Sequence, residues 1–503
     1  MCDMVLIGAA GSWLSDWLTP IWLLGVGALA GLLPLLFLGL LPEIRVAVRE
    51  GVLWPLFLVT VSLAGFGLLG ALFVEKPADL LASLKRLPYV GTQTTSHQVP
   101  VSELEDPDDE FSELAAHEIS ISFRSVEAQR ILFNSDQNLS VATRPFIDVK
   151  PGATVEVIAG EETVWLKRKE SINPFVVEDV TKMYVRNMGS GPANLELTVV
   201  TSPPHPEVTA IPITAVSVVV VFLLYLLQRS VAPRLSAIAL ATYKSEIAQP
   251  LFGIIIALGF VLVILFVWIP YNTFGEDIKM LKDSGLTLIM ILGIVQAIWA
   301  ASTSVADEIE GRTALTVLSK PIGRRSFIGG KFLGIVWTVA LLFVLLGLAL
   351  LIVVAYKQLY DARESSRVDS VTWQVCYIEM IHTVPGLLLA FMETIVLAAL
   401  SVAISTRLPL LANFVICFVI YLLGHLTPLI VQSSVGQFEV VQFFGQLIAT
   451  VFPVLVHFNI QAAVAAGVVV PYVYLFWSLV YCLIYSAIAM LLALVLFEER
   501  DLA

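Results

Sequence analysis

The sequence predicts an α-helical polytopic membrane protein that carries one inserted β-sandwich domain. Of the 503 residues, 58% are hydrophobic and only 14% are charged, whereas a soluble domain contains about 25% charged residues. Several apolar runs are long enough to cross a hydrocarbon core about 30 Å thick. One polar region, residues 75–207, interrupts these runs and contains short segments of alternating polar and apolar residues.

Length and apolarity predict nine membrane-spanning helices. These are Trp17–Leu41, Val52–Val74, Ala210–Leu227, Leu251–Ile269, Leu286–Val305, Phe332–Tyr356, Val384–Thr406, Leu411–Val431 and Pro471–Phe497. A further apolar stretch, Phe443–Val470, is interrupted by Pro453 and by polar residues. Irregular backbone at membrane depth has to be buried in protein or lie beside water. We therefore interpret this stretch as interfacial or re-entrant.

The spans divide the chain into four regions. Residues 1–74 hold two N-terminal helices, residues 75–209 form the polar domain, residues 210–229 form the third helix, and residues 230–503 hold the other six helices.

The polar domain is predicted to be rich in β-strands. Ile119–Phe123 and Asn194–Val199 alternate between apolar and polar residues. Val155–Val157 and Thr163–Leu166 are separated by a short glycine-containing segment, which predicts a β-hairpin. Several such strands in succession favour a small β-sandwich. Residues 75–207 contain 21 acidic and 12 basic residues, a balance that argues against a nucleic-acid partner.

Basic residues in short loops predict the orientation, because such loops stay in the cytoplasm. The loops 42–51, 228–249 and 306–331 all carry arginine or lysine. This places residues 75–209 outside the cell (inner) membrane and the C-terminus in the cytoplasm. Five basic residues with acidic neighbours would then lie outside: Lys279, Lys282, Lys357, Arg363 and Arg367.

Residues Ser230–Pro250 are predicted to form a helix that lies along the cytoplasmic membrane surface. Val231, Leu235, Ile238 and Ile247 fall near one helical face, and Arg234, Lys244 and Glu246 lie elsewhere. A simple polar linker with helical content is the alternative.

The stretch between the fifth and sixth spans is the most informative part of the chain. Asp307, Glu308 and Glu310 follow the fifth span, and Thr313–Leu318 form a partly apolar helical turn that ends at Pro321. Such a helix would offer carboxylates, guanidinium groups and an apolar ridge to a cytoplasmic partner. The alternative is an ordinary loop whose basic residues only fix the topology.

The order of residues in this stretch resembles the permease subunits of ABC-2 type transporters. The similar elements are Glu310–Arg325, then Phe327-Ile328 and Gly330–Gly334, and at the end of the chain Phe458-Asn459 and Phe497–Asp501. The resemblance covers roughly Ser230–Ala503 and implies a six-helix ABC-2 type core. Residues 1–229 are additions to the simplest members of that family.

The resemblance implies an exporter subunit that pairs with a second permease copy or homologue and docks on an ABC ATP-binding subunit. The residues expected to couple to that ATPase are Glu308, Glu310, Arg312, Thr313, Leu315, Leu318, Lys320, Arg324 and Arg325. The chain lacks a phosphate-binding Gly-x-x-x-x-Gly-Lys-Ser/Thr motif. We therefore expect no catalytic site and no cofactor here, with ATP and magnesium on the partner and the cargo undefined.

Gln296, Glu393 and His425 form a candidate intramembrane polar site, because ionisable and polar side chains are costly within the bilayer. The alternative for each is a structural hydrogen bond between helices. The four cysteines do not suggest a metal site.

Two other functions remain open. The chain could be a membrane-anchored scaffold or binding protein that acts through its β domain. It could also be a proton-coupled secondary transporter that uses Glu393 or His425, although internal repeats, which are typical of that class, are not evident. In each case membrane lipids surround the spans.

Overall fold

A computed structural model describes most of the chain, which separates into two compact units. The described residues are 2–40, 45–46, 48–49, 51–103, 115–146, 154–167, 179–269, 276–306, 323–364, 371–432, 443, 447 and 452–498, with the side chains of 2–12 and 427–432 excluded. The first unit comprises Met1–Glu75 and Ala210–Ala503, and the second comprises Lys76–Thr209.

Most of the described residues are helical. The helices are α1 (Cys2–Leu38), α2 (Leu53–Leu69), α3 (Pro77–Arg86), α4 (Ala210–Val231), α5 (Pro233–Ala248), α6 (Pro250–Leu265), α7 (Asp277–Ala301), α8 (Arg324–Glu364), α9 (Trp373–Ser405), α10 (Leu410–Gln432), α11 (Gln461–Ala465) and α12 (Tyr472–Glu498). A π-helix, Ser302–Ala306, continues α7. Short 3-10 turns lie at Gly70–Leu72, Leu87–Tyr89, Pro206–Thr209 and Leu455–His457.

Seven helical segments within the described residues are long and apolar enough to cross a membrane. They contain α1, α2, α4, α7, α8, α9 and α12. An eighth span results if α5 and α6, which meet at a bend of 64°, are counted together. The described part of α10 up to Leu426 is a shorter apolar helix. The chain is thus a multi-pass helical protein, and the predicted number of nine spans stays a prediction.

Several helices begin or end well beyond the predicted spans because they bury charged residues in pairs. Lys282 of α7 is fully buried and contacts the carboxylate of Glu379 on α9. Lys357 of α8 is nearly fully buried and lies 2.9 Å from Asp361, and its Nζ donates a hydrogen bond of 3.1 Å to the carbonyl of Val267. An apolarity criterion stops at such lysines, whereas the helices continue because each charge has a partner.

Glycines allow α1 to approach two neighbouring helices closely. A Cβ added at Gly67 of α2 would lie 2.5 Å from the carbonyl carbon of Gly25 on α1. A Cβ added at Gly27 would lie 2.8 Å from the carbonyl oxygen of Ile211 on α4. Small residues at helix contacts are typical of membrane bundles, since they let backbones pack against each other. Trp22 adds a hydrogen bond of 2.9 Å from its indole nitrogen to the carbonyl of Gly67.

The second unit contains two four-stranded antiparallel sheets. The strands are β1 (Thr92–Val99), β2 (His117–Arg124), β3 (Ala128–Ser135), β4 (Leu139–Ala142), β5 (Val155–Val157), β6 (Thr163–Leu166), β7 (Asp179–Asn187) and β8 (Ala193–Thr201). Their order is β1-β8-β3-β6 in one sheet and β2-β7-β4-β5 in the other. Alternate residues of both sheets, including Phe123, Phe133 and Trp165, belong to one buried cluster. Apolar alternation therefore predicts these strands correctly at Ile119–Phe123 and Asn194–Val199.

The predicted hairpin between Val155–Val157 and Thr163–Leu166 is wrong. Both segments are strands, but β5 pairs with β4 and β6 pairs with β3 in the other sheet. The connection crosses between sheets and is held by two hydrogen bonds, from the Ala159 backbone nitrogen to Asn138 Oδ1 (2.8 Å) and from the Gly160 nitrogen to the Ser135 carbonyl (2.8 Å). Gly160 has a φ of 76°, a conformation that glycine adopts without strain.

Candidate functional site

The predicted coupling residues fall into two groups. Glu308, Glu310, Arg312, Thr313, Leu315, Leu318 and Lys320 lie in residues 307–322, outside the described residues. Arg324 and Arg325 are described, and both are exposed at the start of α8. We call residues 307–322 the connecting segment. Its two flanks are Ser302–Ala306 before it and Gly323–Gly334, which contains the start of α8, after it.

The flank that precedes the connecting segment is a π-helical turn. Helix α7 changes at Ser302 from α-helical to π-helical geometry and keeps it through Ala306. Ser302 and Ser304 donate hydrogen bonds to carbonyl oxygens of Ile298 (3.0 Å) and Ala300 (2.5 Å) in the same helix. Wide turns of this kind are rare within α-helices and frequently occur at functional sites.

A polar cluster joins this turn to the end of α5. The Thr303 hydroxyl shares its one hydrogen between Glu246 Oε1 (3.2 Å) and the Trp299 carbonyl (3.0 Å). The Gln249 side-chain nitrogen donates to Glu246 Oε1 (3.3 Å). The indole nitrogen of Trp299 donates to Gln249 Oε1 (2.6 Å). Glu246 is 1% exposed, so its carboxylate is shielded from bulk water.

The flank that follows the connecting segment packs against the same helix α5. A Cβ added at Gly330 would lie 2.7 Å from Ile238 Cβ. A Cβ added at Gly334 would lie 2.7 Å from the carbonyl oxygen of Ala239 and from Thr242 Cβ. The two glycines therefore let α8 approach α5 at backbone distance. Helix α5 thus contacts both flanks of the connecting segment.

The start of α8 also contacts the end of α12. Arg324 Nη1 donates to the carbonyl of Glu498 (3.2 Å), and its guanidinium lies 6.0 Å from the ring centroid of Phe497. The rings of Phe327 and Phe497 stack with centroids 5.8 Å apart. The contacts join two sequence elements on which the family resemblance rests, Gly323–Gly334 and the Phe497–Asp501 ending.

A second polar cluster lies on the other side of the π-turn. The side-chain nitrogen of Asn413 on α10 is 2.9 Å from Ser302 Oγ, and 2.8 Å from both Ser401 Oγ and Ser405 Oγ on α9. Asn413 Oδ1 accepts a contact of 3.3 Å from the thiol of Cys417. Asn413 and the three serines are fully buried.

Two of the three predicted intramembrane residues come together. His425 Nε2 lies 3.5 Å from Glu393 Oε1, and the Glu393 side chain is fully buried. The ring of His425 also contacts that of Tyr421 in a tilted arrangement, with ring centroids 4.6 Å apart. Gln296 is fully buried on α7, and its side-chain atoms have no hydrogen bond to any described residue. The structure therefore pairs Glu393 with His425, and Gln296 makes no hydrogen bond to either.

Most of the predicted segment Ser230–Pro250 forms helix α5, and its position along the membrane surface stays a prediction. Of the predicted apolar face, Ile238 is buried and Leu235 and Ile247 are half-buried. Val231 precedes α5 and is 74% exposed. The buried face consists of Ser236, Ile238, Ala239, Thr242, Tyr243 and Glu246. Small and polar residues are buried there because α8 packs at backbone distance and because Glu246 accepts hydrogen bonds from the α7 end.

Sequence reasoning missed Asn413, Ser302, Gln249 and Trp299. One signal could have indicated Asn413. Residues Asn413, Cys417, Tyr421 and His425 follow each other at intervals of four and therefore share one helical stripe. The stripe faces α9, where Glu393, Ser401 and Ser405 contact it.

The described residues contain no group of three or more His, Cys, Asp and Glu side chains that could hold a metal ion. The fold and these contacts define a polytopic membrane protein in which α5, α10 and α12 contact the flanks of one connecting segment. Residues 41–502 match the family described as ABC-2 family transporter protein. The chain belongs to this family, as the resemblance predicted, and is an ABC-2 type permease. A comparison with curated proteins finds no match.

Membership in this family has two general consequences. The chain is a membrane component of an ABC transporter and not itself the catalytic component. Such a component works in general with an ATP-binding subunit.

Proposed function

We propose that this chain is the permease subunit of an ABC exporter, and that a separate ATP-binding subunit drives it through the connecting segment. The observation that supports this most is that α5 contacts both flanks of that segment. Hydrogen bonds of Glu246 and Gln249 hold the preceding flank, and the glycine contacts of α8 hold the following flank.

These contacts explain how a displacement of the connecting segment could be transmitted to the helices. A partner that displaces residues 307–322 pulls on the π-turn and on the start of α8 together. Because α5 is packed against both, and because Arg324 and Phe327 are packed against α12, the displacement reaches α5, α7, α8 and α12. Packed interfaces tend to switch between discrete arrangements and not to deform continuously. The arrangement suits a device that transmits ATP-driven motion to membrane spans.

The finer parts of the proposal follow from the family and the sequence. Two permease copies or homologues pair in the inner membrane, each on an ATP-binding subunit that holds ATP and magnesium. The connecting segment and the C-terminus lie in the cytoplasm, and residues 75–209 form an extracytoplasmic β-sandwich. The core has six spans, in a total of nine. The cargo is exported, and its chemical class stays open.

Removing the two carboxylates of the connecting segment tests the proposal. The permease is purified from its own host membrane, and any co-purifying ATP-binding protein is identified by mass spectrometry. The Glu308→Ala and Glu310→Ala double variant is expected to lose at least about tenfold of the bound partner or of its ATP hydrolysis, since charged contacts at interfaces contribute on the order of 1–3 kcal/mol. The matched control is Glu161→Ala with Glu162→Ala, which removes two exposed carboxylates from the other unit.

Absence of an ATP-binding protein from the wild-type preparation would contradict the proposal and favour a scaffold that acts through its β domain. Unchanged partner binding and ATP hydrolysis in the double variant would remove the coupling role of the two carboxylates.

One observation favours a second candidate, a proton-coupled carrier. Glu393 and His425 form a buried pair between two helices, and such pairs are common in proton relays. In that case uptake or efflux would persist without ATP when a proton gradient is imposed on vesicles.

A further inference from the structure

We propose that Asn413 is a positioning residue that holds the π-turn Ser302–Ala306 through an exchangeable hydrogen bond, and so links the connecting segment to α9 and α10. The inference deepens the proposed function and rests on it for the direction in which the signal travels. The hydrogen-bonding arrangement itself stands independently of that function.

The argument begins with a count of hydrogen atoms. A side-chain amide nitrogen carries two hydrogens, yet Asn413 Nδ2 lies within 2.9 Å of three serine hydroxyls. Only two of these three hydrogen bonds form well at any moment. All three serines are fully buried, so water does not replace the missing bond.

The three serines are not equivalent. Ser401 and Ser405 both belong to α9, whereas Ser302 belongs to the π-turn that leads into the connecting segment. The Ser302 hydroxyl already donates to the Ile298 carbonyl, so towards Asn413 it acts only as an acceptor. If the π-turn moves away, the amide retains two acceptors on α9 and loses no hydrogen bond.

This exchange makes the Ser302 contact inexpensive to break and to remake. Breaking an ordinary buried hydrogen bond costs the full desolvation energy of the group that stays buried without a partner. Here the spare serine removes that cost for the amide. The contact is thus suited to a link that opens and closes in each transport cycle.

The helical stripe that contains Asn413 connects the Ser302–Asn413 contact to residues further along α10. Cys417, Tyr421 and His425 follow on the same face of α10, and His425 contacts Glu393 at the far end. A shift of α10 relative to α9 at Asn413 therefore also changes the geometry of the Glu393–His425 pair.

Two substitutions of the same kind at the same hub test the inference. Ser302→Ala removes the acceptor on the π-turn. Ser405→Ala removes one acceptor on α9 and leaves two acceptors for two hydrogens. Each variant deletes one fully buried hydroxyl. Ser304→Ala is the control within the π-turn, because it removes a buried hydroxyl that also bonds a carbonyl of the same helix.

The first measurement is hydrogen–deuterium exchange of peptides that cover residues 299–306, on the full chain in lipid nanodiscs without nucleotide. Ser302→Ala is expected to exchange about fivefold faster than wild type, because it loses its hydrogen bond to the Ile298 carbonyl, and about twofold faster than Ser304→Ala, which loses an equivalent bond within the helix but no contact to Asn413. Ser405→Ala is expected to exchange at the wild-type rate or more slowly. Equal rates in Ser302→Ala and Ser304→Ala, or equal acceleration in Ser302→Ala and Ser405→Ala, would overturn the inference.

The second measurement is ATP hydrolysis by the co-purified complex, with and without vanadate trapping followed by the same exchange assay. In wild type, trapping is expected to change exchange in residues 299–306, and in Ser302→Ala this response is expected to be lost. If the nucleotide-free difference between the variants holds but wild type does not respond to trapping, the proposed function fails while the exchangeable bond stands. If wild type responds and Ser302→Ala responds equally, the coupling role of Asn413 fails while the proposed function stands.

Discussion

A substitution at the buried Glu393 distinguishes ATP-driven transport from proton-coupled transport. The Glu393 side chain is fully buried, and its Oε1 lies 3.5 Å from His425 Nε2. Replacing it with glutamine keeps the shape and removes the ability to ionise. A neutral amide costs less to place in an apolar interior than a carboxylate.

We expect Glu393→Gln to raise the thermal midpoint of the purified chain by on the order of 1–3 °C, and to leave ATP hydrolysis of the complex within about twofold of wild type. Differential scanning fluorimetry and a phosphate-release assay measure both. A complete loss of transport with unchanged stability would instead support the proton-coupled alternative, and His425→Gln serves as the companion variant.

The carboxylate of Asp136 makes the stability of the β-stranded unit depend on pH. Its Oδ1 accepts from the Asn194 backbone nitrogen (2.8 Å) and its Oδ2 from the Asn194 side chain (2.9 Å). These hydrogen bonds favour the ionised form and lower the pKa of Asp136 below its ordinary value of 3.8. The contribution to stability is therefore fully present above the ordinary value and is lost as the pH falls through the lower pKa of the folded state.

We expect Asp136→Asn to lower the thermal midpoint at pH 5–7 by a constant amount, and this difference from wild type to shrink below about pH 4. Thermal unfolding followed by circular dichroism at several pH values measures it. Asn194→Ala should show a smaller effect of the same sign, since it removes one of the two donors. A difference that stays constant down to pH 2 would show that the hydrogen bonds do not depend on ionisation.

The contact between α5 and α8 depends on the absence of a side chain at Gly334. An added Cβ would meet the Ala239 carbonyl oxygen at 2.7 Å, and a backbone atom in a packed helix yields little. We expect Gly334→Ala to destabilise the protein by about 1–3 kcal/mol and to reduce ATP-binding partner recovery. Gly253→Ala on α6 is the control, because no atom lies within 4 Å of its added Cβ.

For that control we expect no loss, or a gain of about 0.5–1 kcal/mol from helix propensity. Thermal midpoints and partner recovery are measured side by side. If both variants behave alike, the close approach of α8 to α5 does not limit stability.

Helix positions follow well from the sequence, whereas helix ends and contacts do not. Apolar runs locate the helices because a bilayer selects for length and apolarity. The predicted spans stop short of Lys282 and Lys357, because apolarity alone does not show that Lys282 pairs with Glu379 of α9 and Lys357 with Asp361 one turn along α8. The hairpin prediction was wrong because β5 and β6 pair with strands of different sheets.

At the candidate site, too, the sequence predicts which residues matter but not which residues they contact. The family motifs identified Gly330, Gly334 and Phe497 as notable residues. Their contact partners, such as Thr242 for Gly334, depend on which helices meet, and no local pattern encodes that. Asn413 was missed because one amide in an apolar run looks unremarkable until three hydroxyls surround it.

For the whole chain, the predicted orientation has one weakness, namely the basic residues that would lie outside. The structure gives four of them partners. Lys279 pairs with Glu276 (2.6 Å), Lys282 with Glu379 and Lys357 with Asp361 (2.9 Å), and the Arg363 guanidinium lies 4.6 Å from the ring centroid of Trp13. Arg367 lies outside the described residues. Paired charges hold a helix end without acting as free cytoplasmic anchors, so these residues weigh little against the proposed orientation.

Cysteine labelling tests that orientation directly. Cys376, Cys417 and Cys482 are buried and are expected to react slowly, and Cys2 is replaced by serine in every variant. Ser96 of β1 and Arg325 of α8 are both exposed, so Ser96→Cys and Arg325→Cys form a matched pair. With a membrane-impermeant maleimide on intact cells, we expect Ser96→Cys to be labelled and Arg325→Cys to be labelled only after permeabilisation. The reverse pattern would place the start of α8 outside, where no ATP-binding subunit could reach the connecting segment, and would contradict the orientation and the coupling proposal together.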